Sequence, residues 1–567
     1  MENLKNKITK ARGLEKPDLV FKNVKVIDVF SSQIIPCDLA LDKGQILGFG
    51  SYAGKEEVDL GGRYICPTLI DSHIHIESSM LSPSQLAKIL LANGVGTIIA
   101  DPHEIGNVLG LRGIDYILSA SEGLPLDVRL MLPSCVPCTP FENSGARLSY
   151  QDLEKYKNKD RVLGLGEMMD YVGLLNEDEE ILKKICSFSD RIIDGHSPGL
   201  MDQDLNAYVL AGIKTDHESS SIEEMNQRLA RGMYLLIRQG TAAQNAEVLS
   251  KNVNKDNVAR CLFCTDDKHP ADLEAKGSIN ENIKIAIRNG VDPIDAIKMA
   301  TINPALCYGL KNKGALAPGY EGSFIVLEGL EDFKISDVYI RGQRYFGQGK
   351  LLIDIKESQP IDLIESVKIY PFKEEDFQIP LRSTKARVIG VNKGDLITDK
   401  LIEEVPVVGA KFLAQGPYLK LAVIERHKGL KSMGLGIIKN LGIKAGAIGS
   451  TIAHDSHNLI IVGANDRDMY LAMKEIERIQ GGLVLVKDGK VLASLALEIG
   501  GIMSNKSLHE LRTSLDHILK LIKTDLGGQV DPLLTLAFMA LPVIPHLKLT
   551  DKGLFDVDIF DFVDINV

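Results

Sequence analysis

The chain has 567 residues, too many for one hydrophobic core, so several domains are expected. Apolar residues make up 45% and mean hydropathy is +0.02, the profile of an ordinary globular protein. A net charge of −11 with a pI near 5.7 excludes the basic footprint of a dedicated nucleic-acid binder.

The N-terminal stretch MENLKNKITKARGLEK is polar and lysine-rich and lacks the apolar core of a secretory signal. The longest apolar run, residues 532–544, carries Pro532 and Pro542 and is too short to span a bilayer. Cytoplasmic residence without a membrane partner is the expectation. Eight cysteines are too sparse for a disulfide scaffold. The pairs Cys135/Cys138 and Cys261/Cys264 lie far apart in sequence and on or beside strand candidates, and they read as core thiols.

Residues 18–60 alternate with a two-residue period, as half-buried antiparallel strands do, and the texture returns at 322–327 and 336–343. One small discontinuous β-sandwich domain is expected from residues 1–64 plus 306–355. Between them eight short apolar strand candidates, 65–70, 96–100, 128–133, 162–166, 191–194, 213–216, 233–238 and 261–265, alternate with helical runs such as 84–93, 222–231 and 293–301. That alternation predicts an α/β fold, a (β/α)8 TIM barrel over 65–305, with an open doubly wound sheet as the alternative. A charged connector is expected at 356–390, then an α/β domain over 391–567 with strands at 458–463 and 482–486 and helices at 466–480 and 507–523. Gly434-Leu-Gly lacks a dinucleotide fingerprint and reads as a turn.

Residue types that bind metal stand at the ends of five of these strand candidates: His73 and His75, Glu167, His196, His217 and Asp266. Side chains at i and i+2 on a strand point the same way, so His73 and His75 can share one cation. Active-site residues of such barrels cluster at the C-terminal strand ends. Imidazole and carboxylate suit divalent first-row metals, and two such ions can activate a water held between them. In this reading His73 and His75 hold one ion, His196 and His217 the other, and Glu167 lies between. Asp266 ligates and shuttles a proton. Taken singly, each His is a loop residue and Glu167 or Asp266 a helix cap; the shared placement is what argues for a site.

Glu77, Ser78, His103 and Glu104 follow the first and second strands and are candidates for substrate contact, with helix capping or support of a metal ligand as the alternatives. His75-Ile-Glu77 matches half of the H-x-E…P-C-x-x-C zinc deaminase signature, but Pro137-Cys138 is followed by Thr-Pro-Phe, so that class is excluded. His454-Asp-Ser-His457-Asn458 reads as a packed loop, with lining of the active-site entrance as the alternative.

Pro67-Thr-Leu-Ile-Asp-Ser-His-Ile-His-Ile-Glu-Ser-Ser79, Ala100-Asp-Pro-His-Glu104, Gly164-Leu-Gly-Glu-Met-Met169, Asp194-Gly-His196, Asp216-His-Glu218 and Cys264-Thr-Asp-Asp267 resemble, in order, the motifs of the adenine deaminase branch of the amidohydrolase superfamily. The likeness continues through residues 453–458 and 541–545 to 553–557. It implies hydrolysis of adenine to hypoxanthine and ammonia, a step of purine salvage, on two divalent ions, Mn2+ or Fe2+ and less commonly Zn2+. It also implies Glu167 where many relatives carry a carboxylated lysine, and a homo-oligomer, a dimer. Carried over, His73, His75, Glu167, His196, His217 and Asp266 become metal ligands, and Glu167 and Asp266 the catalytic groups. Two positions depart from the pattern: Ser278 stands for a histidine and Val172 for a proline. The rival readings are a hydrolase of another purine or heterocycle, and an inactive metal-binding paralogue.

Overall fold

In the computed structural model, residues 1–356, 366–392, 397–528 and 532–567 are described. Strands Leu69–Ile74, Val95–Ala100, Asp127–Leu132, Val162–Met168 and Ile192–Gly195 form one parallel sheet, and Thr215–Asp216, Tyr234–Arg238 and Cys261–Cys264 a second. The Lys214 N–H donates to the Ile193 oxygen at 3.0 Å across one seam, and the Asp266 N–H to the His73 oxygen at 2.9 Å across the other. Both seams are therefore joined, and the two sheets close into a (β/α)8 barrel. Its strands are mostly buried and rich in apolar residues, as in the fully buried Val95–Ala100, because helices cover their outer faces. Those helices begin with local signals. Ser221 caps Ile222–Ala230 with a reciprocal bond from Glu224, and Pro83 opens Pro83–Ala92.

The first strand differs from its expected bounds. The apolar run from residue 64 to 70 is two strands: Tyr64–Pro67 pairs with Leu19–Asp28 and Phe324–Leu327, and only Leu69–Ile74 belongs to the barrel. Pro67 has no N–H to continue a ladder, and the chain changes sheets there. The sheet it leaves has nine strands drawn from both ends of the barrel sequence. It folds around its own apolar interior, where Phe21, Phe324 and Tyr339 pack with ring centroids 4.8–4.9 Å apart.

The C-terminal region is an eight-stranded, mostly antiparallel sheet with helix Asp466–Ile479 packed on it, plus a three-stranded sheet starting at Leu547–Thr550. Its core already includes Val367, Ile369, Phe372 and Phe377, and strand Lys385–Val391 lies in its sheet. The connector expected over 356–390 is therefore shorter at its C-terminal end, while 357–365 lie outside the described residues. Gly434, expected in a turn, stands in strand Met433–Lys439. A Cβ there would meet the Thr550 oxygen at 2.0 Å, so glycine admits the neighbouring hairpin. This domain rests on the barrel. Met80 and Ser82 exchange backbone hydrogen bonds of 2.9 Å with Ser504, and Asn143 bonds the Asp551 carboxylate. No described helix is long and apolar enough to cross a membrane.

Candidate active site at the barrel mouth

The closed barrel brings the six strand-end residues to one place. His73, His75, Glu167, His217 and Asp266 are buried, and His196 is partly so. His73 Nε2, His75 Nε2 and Asp266 Oδ1 lie 3.0–3.6 Å from one another. His196 Nδ1, His217 Nε2 and Glu167 Oε2 lie 3.0–3.2 Å apart. Glu167 faces both groups, with Oε2 at 3.6 Å from His73 Nε2 and Oε1 at 3.6 Å from His75 Nε2.

The donor set fits divalent cations. His75 Nδ1 stands 3.0 Å from the Asp101 carbonyl oxygen, which places its proton there and turns the Nε2 lone pair inward. Burial opposes ionisation of Glu167 and Asp266. For Glu167 the imidazoles of His196, His217 and His73 outweigh it, and for Asp266 Arg238 and the imidazoles of His73, His75 and His217 do. Both are held well below the usual carboxylate range. Ionised oxygens and inward lone pairs this close repel unless a cation or shared protons lie among them.

Each position is fixed from behind. The Glu167 N–H donates to Asp101 Oδ2 at 2.9 Å. Asp216, beside His217, accepts from Arg228 Nε at 2.8 Å and from the Ser197 N–H at 3.0 Å. Asp266 has φ +58, an uncommon backbone for a non-glycine residue, and it sits where its carboxylate turns into the mouth.

Two functional residues escaped the sequence reading. Arg238 Nη1 lies 2.6 Å from Asp266 Oδ2 and 2.5 Å from Glu218 Oε1, and Nη2 lies 3.1 Å from Glu218 Oε2. It clamps the Asp266 oxygen that faces away from His75. The signal was present, because Arg238 ends the seventh strand, but arginine is not a metal-binding type. Glu218 was quoted in a motif without a role; its Oε1 stands 3.4 Å from His217 Nε2 and 3.5 Å from His196 Nδ1.

A cavity of about 270 Å³ opens over these residues. His103 and Glu104 line it; so do His454, Asp455, Phe538, Leu541, Val543 and Ile544 of the C-terminal domain. The 454–458 segment thus stands at the site entrance, the alternative to a packed loop. Of the four substrate-contact candidates, Glu77 and Ser78 do not line the cavity. Glu77 Oε1 accepts the Ile105 N–H at 3.0 Å at the start of helix His103–Leu109, a capping role. Ser78 Oγ donates to Asp267 Oδ1 at 2.5 Å and lies 3.3 Å from Glu104 Oε1. His103 Nδ1 lies 3.3 Å from Glu167 Oε1. Ser278 immediately precedes helix Ile279–Arg288 and Val172 lies on helix Tyr171–Leu175, and neither departure lines the cavity.

Residues 64–345 match the amidohydrolase family, and residues 395–561 match the adenine deaminase C-terminal domain. An adenine deaminase of Clostridium acetobutylicum is 46% identical, with 99% of this chain and 100% of that protein covered. The chain belongs to the adenine deaminase family. Its adenine deaminase relatives include one from Geobacillus kaustophilus, 46% identical over 99% of each chain. The crystal structure of an adenine deaminase is 17% identical, with a TM-score of 0.46, and covers 58% of this chain and 100% of its own. Family membership makes the protein an amidohydrolase-type enzyme acting on carbon–nitrogen bonds, as the motif series led one to expect.

Proposed function

We propose that the protein hydrolyses adenine to hypoxanthine and ammonia. The observation that carries this reading is Glu167 standing between two donor groups in a cavity at the barrel mouth, in a chain that matches adenine deaminases along its whole length. A volume of about 270 Å³ suits one small heterocycle rather than a polymer. His73, His75 and Asp266 would hold one divalent cation and His196 and His217 the other, with Glu167 shared. Such ions supply Lewis acidity that makes water nucleophilic near neutral pH.

The protein's own groups do the rest. Asp266, ionised and clamped by Arg238, accepts a proton from the attacking water and returns it to the departing amine. Attack at C6 places charge on N1, which requires a donor. Among the candidates Glu167, Glu77, His103 and Glu104, the imidazole of His103 both lines the cavity and lies beside Glu167. Glu104 lies next to it. Burial opposes its charge, but the His454 imidazole beside it holds its pKa well below the usual range, so it accepts N–H groups of the base rather than donating. Leu541, Val543 and Ile544 exclude water from the apolar ring faces.

Ammonia release from adenine, guanine and cytosine, measured side by side on protein loaded with Mn2+ or Fe2+, tests the reading. Adenine is expected to be strongly preferred; equal rates on all three would refute it. Asp266→Asn is expected to abolish turnover while cations are retained, and Glu167→Gln to lose both. Unchanged turnover in both variants would overturn the assigned roles. Elemental analysis should count about two ions per chain, as a shared Glu167 requires.

A further inference from the structure

The loop between strands Ala447–Ser450 and Leu459–Gly463 of the C-terminal sheet reaches two consecutive barrel residues. His454 Nδ1 lies 2.8 Å from Glu104 Oε1, and His457 Nε2 lies 3.6 Å from Glu104 Oε2. Asp455 Oδ1 lies 3.8 Å from His103 Nε2. All five residues are buried, with at most 6% exposure.

Glu104, His454 and His457 have the donor types of a third cation site, but the hydrogen bonding opposes that use. The Ala453 N–H donates to His457 Nδ1 at 3.2 Å, so a neutral ring carries its proton on Nε2, the atom turned toward Glu104. An N–H there is no ligand. Glu104 is instead a carboxylate gripped by imidazole from another domain. The grip is rigid on both sides. The His454 ring stacks on Phe538 with centroids 4.5 Å apart and planes 21° apart, and the His454 backbone N–H donates to the Ala537 oxygen at 2.9 Å. The loop is tied back to the barrel by Asn458, whose Nδ2 donates to the Asn143 oxygen at 2.6 Å.

We infer that His454 and Asp455 are positioning residues supplied by the C-terminal domain, His454 orienting Glu104 and Asp455 orienting His103 toward the substrate. The inference rests on the adenine reading above. It assigns the C-terminal domain a part in the reaction: the barrel carries the groups, and this loop sets where two of them point.

The test uses the full-length, metal-loaded enzyme. His454→Asn keeps an N–H donor near the place of Nδ1, whereas His454→Phe keeps the stack on Phe538 without the donor. A positioning role predicts that the Phe variant loses about tenfold or more in kcat/KM for adenine, that Asn regains part of it, and that bound metal is unchanged in both. A purely structural role predicts the reverse order, with Phe tolerated and Asn harmful, and would overturn the inference. Asp455→Asn preserves size and carries the second arm. Its loss is expected to vanish, within about twofold, on a His103→Gln background, because it acts only through His103. Additive losses there would also overturn it. Wild-type enzyme that releases no ammonia from adenine would bring down the functional reading and this inference together; turnover in wild type with the reversed order or additive losses would bring down the inference alone.

Discussion

At the scale of single residues, the site depends on charges that burial alone would not permit. Arg238 is 8% exposed and bonds two carboxylates at once. Replacing it with Met leaves Asp266 and Glu218 facing each other without a counter-charge. Breaking a buried pair by removing one partner costs about 3–5 kcal/mol. Arg238→Met is therefore expected to lower the denaturant midpoint clearly and to reduce kcat at least about tenfold, since Asp266 would lose its orientation and the largest of the charges that keep it ionised. An unchanged midpoint would show that Arg238 is not the clamp. His454 gives a pH dependence of stability. Burial pulls its pKa down, but Glu104, with Asp267 and Asp455 also facing it, outweighs burial and lifts the pKa from 6.5 to about 9, while its loop neighbour His457 stays neutral. A group whose pKa is raised in the folded state stabilises it fully below the unfolded value. That contribution is lost as pH climbs from 6.5 through about 9. Chemical denaturation across that window should show wild type losing stability relative to His454→Phe as pH rises. Parallel curves would contradict the ion pair. The six ligand candidates were legible in the sequence because each follows a short apolar run; Arg238 ends such a run too, but arginine is not a metal-binding type.

At the scale of elements, strand Val162–Met168 shows how close approach places chemistry. A Cβ on Gly166 would come within 2.1 Å of Asp101 Oδ2, and one on Gly164 within 2.0 Å of the Ile192 oxygen. Asp101 Oδ2 is the acceptor for the Glu167 N–H, so glycine at 166 lets the carboxylate that follows the second strand hold Glu167 at the end of the fourth. Gly166→Ala is expected to destabilise by about 1–3 kcal/mol and to lower metal content, read by thermal unfolding and elemental analysis. Full metal loading at wild-type stability would argue against this account. Nothing in Gly164-Leu-Gly announces that contact, because the partner lies more than sixty residues away. The same limit shifted the first barrel strand. An apolar run looks alike whether it pairs in one sheet or crosses between two, and Pro67 was the one local sign of the change.

At the scale of the molecule, barrel and C-terminal domain share one apolar core, which includes Ile105 and Leu81 from one and Ile502, Met503 and Phe538 from the other. Calorimetry is expected to show these two domains unfolding in a single transition, because neither keeps its interior dry without the other. Two well-separated transitions would show that they are independent. Patterning in the sequence was sufficient for the eight alternating units, the flanking β segments, the strand-end histidines and the family. The units, flanking segments and histidines follow from local periodicity and from residue types at the ends of runs, and the family from the resemblance of its ordered motifs, all of which the chain carries in itself. Only the tertiary structure decided which imidazoles and carboxylates stand together, that Arg238 clamps Asp266, that Glu77 caps a helix instead of lining the cavity, and that His454 and Asp455 line the mouth. Each of those is a contact between segments distant in the chain, set by barrel closure and domain packing, for which no local pattern exists.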